Sequence, residues 1–419
     1  MTENSLVAWR QVACCFVVLT ADSFIATGYS LVSVPLGHEF HSSRMMLMLA
    51  MTVTSAATAV LSPLLGGWMD RRSLRAMMIV GAISLASGYA AISFVASFAY
   101  VLVIFGVLIA PANILIGPVA VTVLLTRWFT EHRGRAIGIA IAGIAMGSVV
   151  YPPVLQYLLE HHPWRDAFRL MALVLLAISL PAALAVVSRP EKAVGAVKLE
   201  SAAPAASGPI PAQMRDTLPV GFILSDPAFW LAVSFFSIVL SGMIGMITNI
   251  VPVALDRGIK AGDAALLISV YGISGLCAKL TFAALADRLS PRTLLSTSLA
   301  GFAIGMLCLA QTRLGYAGTA VGVTMIGLAG GLMVPMQSFL VPKIFGAHSV
   351  GRAMGCMTMV SLCALLLTPP LVGRLSSGNS GSVFVGFAVI AAVAIAAVPM
   401  LRLHPRAQLP NAAVVESTT

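Results

Sequence analysis

The amino-acid sequence predicts an all-α membrane protein with twelve transmembrane helices in two pseudo-symmetric six-helix bundles. Three observations predict this class: an apolar composition, twelve apolar segments long enough to cross a bilayer, and an internal repeat at one fixed offset. Hydrophobic residues make up 59% of the 419 positions and charged residues only 10%, whereas soluble domains carry about 25% charged residues. A surface with so few charges suits contact with lipid, which argues against an ordinary soluble enzyme.

The apolar segments define the predicted spans. A helix needs about 20 apolar residues to cross the hydrocarbon core. Such segments, numbered as spans one to twelve, lie at 12–34, 45–65, 76–96, 100–125, 135–158, 167–187, 229–253, 264–285, 293–311, 316–341, 352–372 and 381–401. Spans four and ten contain Pro118 and Pro335, where we expect kinks. The polar start, 1–11, carries no small-residue cleavage site, so we expect span one to be retained and not removed as a signal peptide.

The distribution of Lys and Arg predicts the orientation. If the amino terminus is cytoplasmic, 17 of the 25 basic residues fall in cytoplasmic segments and seven on the opposite side. The positive-inside rule therefore places both termini in the cytoplasm, in the inner (plasma) membrane of the cell. The same asymmetry accounts for the net charge of +10 without a nucleic-acid partner. The predicted domains are an amino-terminal bundle at 1–188, a flexible cytoplasmic linker at 189–225 and a carboxy-terminal bundle with a short tail at 226–419.

The two halves repeat each other at an offset of 217 residues. Four segments recur without a gap: 70–75 at 287–292, Pro118 at Pro335, 134–138 at 351–355, and 152–153 at 369–370. One offset shared by four segments indicates duplicated halves. Parallel six-span halves with a substrate between them near the midplane are a known plan of transporters.

One repeated segment resembles a known family. The stretch 66–75, Gly-Gly-Trp-Met-Asp-Arg-Arg-Ser-Leu-Arg, resembles the G-x-x-x-D-R-x-x-x-R loop of the major facilitator superfamily and lies between spans two and three, as it does there. The second copy, 283–292, departs from the pattern because Ala283 replaces the glycine. The resemblance covers essentially the whole chain. It implies the major facilitator fold and a secondary active transporter that works by alternating access.

Further segments resemble the monocarboxylate transporter branch, which includes the oxalate–formate exchangers. They are Glu39-Phe40 with Ser43-Arg44, Arg127-Trp128-Phe129 with Arg133-Gly134, Gly138 and Gly143, and Trp164-Arg165. The resemblance implies small organic anions, above all monocarboxylates, as substrates, with proton symport favoured over exchange. An organic-anion exchanger and an exporter of drugs or other hydrophobic compounds stay open as alternatives. A membrane receptor on a transporter scaffold and a membrane enzyme are weaker ones.

The resemblance also implies a pair of cytoplasmic contacts that we term latches. Asp70 is expected to face the start of span eleven near Arg352, and Asp287 the start of span five near Arg135. A carboxylate at a helix amino end gains about 0.3–1 kcal/mol, so both contacts would favour an outward-open state. The alternative is a positively charged loop that happens to contain acids. The predicted latch residues are Asp70, Arg71, Arg75, Asp287, Arg288, Arg292, Arg135 and Arg352.

Two charged residues lie well inside predicted spans, Asp22 in span one and Lys279 in span eight. A charge at the centre of a spanning helix costs about 2.5–3.5 kcal/mol on insertion scales, so both are functional candidates. In the monocarboxylate branch a basic residue eight positions before the second motif aspartate binds the substrate carboxylate, and the resemblance gives this role to Lys279. Tyr271 lies on the same helix face, two turns away. The alternative is that Lys279 snorkels toward the cytoplasmic interface.

The branch often carries an aspartate one turn before this basic residue, whereas here the position is Gly275. We therefore predict that Asp22, the other acid within a span, couples a proton to transport. Its alternative role is a structural hydrogen bond. Four neutral residues are further candidates for lining the substrate path, each with a helix–helix hydrogen bond as its alternative: Tyr29, Asn113, Asn249 and Gln337.

No cofactor or metal site is predicted. All seven histidines are expected in loops or tails, the six cysteines lie in apolar segments, and no glycine-rich phosphate loop followed by Lys occurs in the sequence. The expected partners are a small organic anion, protons and the lipid bilayer, with the protein as a monomer.

Overall fold

The structure is a computed structural model that describes residues 3–41, 44–129, 132–188, 218–311, 315–346 and 348–401. Within these ranges the secondary structure is helical, as predicted, and contains no strand. The helices are α1 (Glu3–Asp22), α2 (Phe24–Glu39), α3 (Arg44–Arg71), α4 (Leu74–Ile92), α5 (Phe98–Ile104), α6 (Ala110–Ile116), α7 (Pro118–Trp128), α8 (Arg133–His161), α9 (Trp164–Ala185), α10 (Val220–Ser225), α11 (Pro227–Asp256), α12 (Ala261–Leu285), α13 (Pro291–Ala310), α14 (Gly315–Phe345) and α15 (Val350–Ala397).

The helices match the predicted spans. Among the described residues, eleven helical segments are long and apolar enough to cross a membrane, and Val350–Leu366 is a shorter apolar one. Spans eleven and twelve fall within the single 48-residue helix α15, so the predicted loop between them is helical. The beginning of α15 and the residues just after it nevertheless lie at the same end of the molecule, because Gly351 contacts Asp70 and Leu401 contacts Arg292. The chain therefore reverses direction within the residues assigned to α15, and its two passes are antiparallel, as expected for consecutive spans.

Span four is interrupted, whereas span one is not. Span one begins at Glu3, earlier than the predicted position 12, and is divided into α1 and α2 at Ser23. The Ser23 backbone is nevertheless helical (φ −60°, ψ −20°) and its N–H donates to Leu19 O at 3.1 Å. Span four breaks at Gly117, whose backbone is extended (φ −80°, ψ −166°), and continues as α7 from Pro118. This confirms the expected kink, since Pro118 has no N–H to continue the helical hydrogen bonds. A π-helical turn at Phe105–Ile109 was not predicted. Span ten remains one helix through Pro335.

The predicted linker is only partly described. Residues 189–217 lie outside the described residues. The remainder, 218–225, was predicted to be flexible, but it contains α10 and is held against the start of α15. The Leu218 N–H donates to Ser349 Oγ at 2.9 Å, and the Arg352 guanidinium donates to Leu218 O at 2.7 Å. The linker is therefore anchored at its carboxy-terminal end.

The two bundles meet mainly along two helix pairs, α3 with α15 and α8 with α12, with smaller contacts of α7 and α8 with α14 and of α7 with α15. Glycines allow this close approach. A Cβ at Gly66 would collide with the backbone of Gly351, and a Cβ at Gly138 would collide with Ala283. Helices without side chains at the crossing point can pack backbone to backbone, as small residues allow in membranes.

Candidate functional site

The first contact between the bundles is built on Asp70, at the carboxy-terminal end of α3. Its Oδ1 accepts a hydrogen bond from the Gly351 N–H at 2.9 Å, and its Oδ2 accepts one from the Arg352 N–H at 3.0 Å. These N–H groups belong to the first turn of α15, where no helical acceptor is available. The carboxylate therefore satisfies two free donors and meets the positive end of the helix dipole.

The second contact repeats the first at the predicted offset. Asp287 Oδ1 accepts from the Gly134 N–H at 2.7 Å, and Oδ2 accepts from the Arg135 N–H at 2.9 Å. These donors lie in the first turn of α8. We call the end of the molecule that carries Asp70 and Asp287 the motif end. Both acids thus lie where the sequence placed them, and the two bundles are joined at this end.

The arginines of the predicted latch set have different partners. The Arg75 N–H donates to Ser188 Oγ at 2.9 Å, and the Arg292 guanidinium donates to Leu401 O at 3.0 Å. Each therefore ties its loop to the end of the last span of its own bundle. Arg71 and Arg288 are exposed at the motif end.

The side chains of the other two arginines turn away from the aspartates. The Arg135 guanidinium lies 5.4 Å from the centre of the Trp9 ring, and the Arg352 guanidinium holds Leu218 as described above. They therefore join the latches through their backbone N–H groups, and their side chains hold neighbouring segments.

The latch set omitted Arg127 and Trp9. The Arg127 guanidinium donates to Met69 O at 2.6 Å and Asp70 O at 3.2 Å, so it fixes the end of α3 that presents Asp70. The Arg127-Trp128-Phe129 segment was noted as a family resemblance but was given no role. Trp9 could not be found from the sequence, because its contact with Arg135 depends on how span one packs beside span five.

Lys279 lies on the face of α12 that meets the amino-terminal bundle. Toward the motif end, Ala283 and Ala286 on this face are buried, because they pack against glycines of α8. In the opposite direction Gly275 is buried against Gly331 of α14, and Gly272 beyond it is exposed. Lys279 is partly buried and lies between the closed contact of the two bundles and this exposed end of the face.

The lipid-exposed face of α12 is a different one. Ile273 and Leu280 are 63% and 53% exposed, and Leu280 is turned about 100° around the helix from Lys279. Among the described residues, Lys279 has no hydrogen-bond or ion-pair partner. This location fits an amine directed toward the space between the bundles and does not fit a lysine on the lipid face.

Asp22 lies inside the amino-terminal bundle, at the end of α1. It is 6% exposed, and its Oδ1 accepts a hydrogen bond from Asn113 Nδ2 at 3.0 Å. Gly117, where span four breaks, has its Cβ position 3.5 Å from Asp22 Oδ2. The interruption of span four therefore lies beside a buried carboxyl group of span one. The structure brings Asp22 and Asn113 together, a pairing that the sequence did not predict.

The remaining predicted lining residues do not form one group. Tyr29 is buried, its hydroxyl donates to Leu47 O, and its ring packs on Phe105, so in this conformation it joins helices of one bundle. The Tyr271 ring approaches Gly327 of α14. Gln337 is partly buried on α14. The side chain of Asn249 lies outside the described residues.

The comparisons with known proteins decide the family. The model of the Major Facilitator Superfamily matches residues 12–260 and 235–418. The chain belongs to this superfamily. It is similar to Monocarboxylate transporter 12-B of Danio rerio, with 25% identity over 96% of the chain and 89% of that protein. It is also similar to Monocarboxylate transporter 11 of Mus musculus, with 28% identity over 78% of the chain and 71% of that protein.

The solved structures support the same fold. The proton:xylose symporter XylE is similar with a TM-score of 0.70 at 14% identity, over 96% of this chain and 97% of that one. The major facilitator fold predicted from the sequence is therefore confirmed. This superfamily member is a multi-pass membrane transporter and not an enzyme. The relatives it resembles are monocarboxylate transporters, which agrees with the branch that the sequence resembles.

Proposed function

We propose that this superfamily member carries small monocarboxylates together with protons across the inner membrane. The observation that carries the proposal is the position of Lys279, an unpaired amine within a span, on the face of α12 that meets the other bundle. The names of its similar relatives, monocarboxylate transporters, agree with an anionic substrate.

The physical argument concerns an uncompensated charge. A cation that is partly withdrawn from water inside a membrane is costly unless it is paired. Since Lys279 has no ion-pair partner within the described part of the chain, an anion from solution would supply the missing charge. The free energy gained on pairing is then available for substrate binding. A single amine without a neighbouring acid favours a monoanion.

The contacts at the motif end support a mechanism of alternating access. In this conformation Asp70 and Asp287 each join one bundle to a helix start of the other, while the face of α12 is exposed beyond Lys279. With the motif end in the cytoplasm, as the distribution of basic residues predicts, this conformation is open to the outside. Breaking both contacts would open the path to the cytoplasmic side.

Asp22 is the proposed proton carrier. Its carboxyl group is buried and has a single described hydrogen-bond partner, the neutral Asn113 amide. A carboxylate without a positive partner is poorly stabilised there, whereas a protonated carboxyl group is tolerated. Uptake of a proton from the open side would therefore accompany anion binding at Lys279, and the two charges would cross together.

The test is a counterflow screen of carboxylates in proteoliposomes, with and without an imposed pH gradient. The wild type should exchange at least one monocarboxylate and should accumulate it when an imposed proton gradient drives uptake. Lys279→Gln should abolish exchange, Lys279→Arg should retain part of it, and Lys260→Ala, which removes an exposed lysine near the opposite end, should leave it unchanged. Exchange that persists in Lys279→Gln for every anion tested would overturn the proposal, as would transport of neutral or cationic compounds only.

A further inference from the structure

The internal repeat assigns a counterpart to Lys279 in the other bundle. At the offset of 217 residues, Lys279 corresponds to Ser62 and Gly275 corresponds to Thr58, just as Asp287 corresponds to Asp70. Ser62 and Thr58 lie on α3, one turn apart, so their side chains share a helix face. The amino-terminal bundle therefore carries two hydroxyls where the carboxy-terminal bundle carries the amine.

Both hydroxyls are buried without a hydrogen bond. Ser62 is 0% exposed, and neither its Oγ nor the Thr58 Oγ1 has a partner in the part of the chain that the structure describes. A Ser or Thr in a helix commonly donates to the carbonyl four residues earlier. Thr54 on the same helix does so to Ala50 O at 2.8 Å. Thr58 and Ser62 do not, and each unmet buried donor is costly.

The position of Ser62 explains why its hydroxyl is covered. Gly355 of α15 lies against the backbone of Ser62, so closely that a Cβ would collide with it. Thr58, farther from the motif end, is only partly buried as a residue. Thr58 is thus less covered than Ser62, whereas Thr54, one turn farther from the motif end, is buried again. When α3 and α15 separate at the motif end, Ser62 would be uncovered toward the same central space.

We infer that Thr58 and Ser62 form the amino-terminal half of the substrate site and hydrogen-bond an uncharged oxygen of the carboxylic acid, such as a 2-hydroxyl group. This inference rests on the proposed function, because Lys279 would hold the carboxylate of the same molecule. Two neutral hydroxyls can donate to or accept from such an oxygen. A site built to hydrogen-bond a substrate hydroxyl rejects the analogue that lacks it, because its polar groups are then left unpaired. Thr58 and Ser62 would therefore set specificity, with Lys279 providing affinity for the charge.

The experiment compares matched acids that differ by one hydroxyl: acetate with glycolate, propionate with lactate, and butyrate with 2-hydroxybutyrate. Counterflow in proteoliposomes visits both conformations, and the quantity of interest is the ratio of kcat/KM for the hydroxy acid to that for the plain acid. The wild type should prefer the hydroxy acid. Ser62→Ala and Thr58→Val should each lower this ratio by about threefold to tenfold while retaining transport of the plain acid.

Thr54→Val is the matched control, because its hydroxyl is already bonded within the helix, and it should leave the ratio unchanged. The inference would be overturned if the ratio were unchanged in both Ser62→Ala and Thr58→Val, or if the wild type showed no preference for the hydroxy acid. The proposed function would still stand in that case, provided that Lys279→Gln abolished all transport. If instead Lys279→Gln retained transport, the proposed function would fail separately. A fall in the rates of both acids by one factor would show a purely structural role and would also overturn the inference.

Discussion

The latch at Asp70 gives a prediction whose magnitude follows from its geometry. The carboxylate accepts two backbone hydrogen bonds, at 2.9 and 3.0 Å, from the first turn of α15. In Asp70→Asn the side chain keeps its shape but loses the charge and one acceptor. A charge at a helix amino end contributes about 0.3–1 kcal/mol, and up to about 2 kcal/mol when partly buried. Once the motif end opens, the N–H groups of Gly351 and Arg352 are bonded to water, so the substitution destabilises only the closed conformation.

We therefore expect Asp70→Asn to destabilise the closed motif end by about 1–2 kcal/mol, a shift of about 5-fold to 30-fold in the population of the open conformation. The assay is the distance between spin labels at Arg72 and Leu289, both exposed at the motif end, measured by double electron–electron resonance after the six cysteines are replaced by Ala. The longer distance should gain population in Asp70→Asn. Asp263→Asn, an exposed acid near the other end, is the control. Identical distance distributions in Asp70→Asn and wild type would refute the reasoning.

Three further predictions concern other contacts. Asp22→Asn should exchange its substrate but should no longer accumulate it in response to a pH gradient. Proton-driven accumulation in this variant would contradict the coupling role. Gly355→Val should hold the motif end open, since a side chain there collides with the backbone of α3, and the spin-label distances should lengthen; an unchanged closed population would show that the helices can separate slightly without opening. Arg127→Gln should weaken the same closure by a smaller amount than Asp70→Asn, because it removes the hydrogen bonds to Met69 O and Asp70 O and not the latch itself; an effect larger than that of Asp70→Asn would reverse the assigned roles.

The sequence was most informative where the membrane or the fold restricts which residue type can occupy a position. Charges are so rare in the spans that Asp22 and Lys279 were candidates without a structure, and the family resemblance placed Asp70 and Asp287 at the helix starts that they contact. Pro118 predicted the break in span four, but Pro335, at the corresponding place, leaves span ten one helix, so the missing N–H alone does not decide whether a span breaks.

The sequence was less informative where a contact depends on how helices are arranged side by side. Asn113 was a candidate for lining the path, but its hydrogen bond with Asp22 requires spans one and four to pack together near the break in span four. Tyr29 was a candidate for lining the path with a helix–helix hydrogen bond as its alternative, and in this conformation its hydroxyl donates to Leu47 O. Ser62 could not be singled out from the sequence, because serine is common in membrane helices. The structure shows that its buried hydroxyl has no hydrogen-bond partner among the described residues.

The central claim is that the Lys279 amine binds the negative charge of the substrate. The most direct measurement is equilibrium binding of a monocarboxylate, identified by the counterflow screen, to the purified wild type and to Lys279→Gln, by calorimetry and by the ligand-dependent rise in Tm. Binding should be lost in Lys279→Gln, although that variant is folded and has a Tm close to that of the wild type without ligand, and it should be partly retained in Lys279→Arg. Equal affinity of the wild type and Lys279→Gln for the anion would contradict the account.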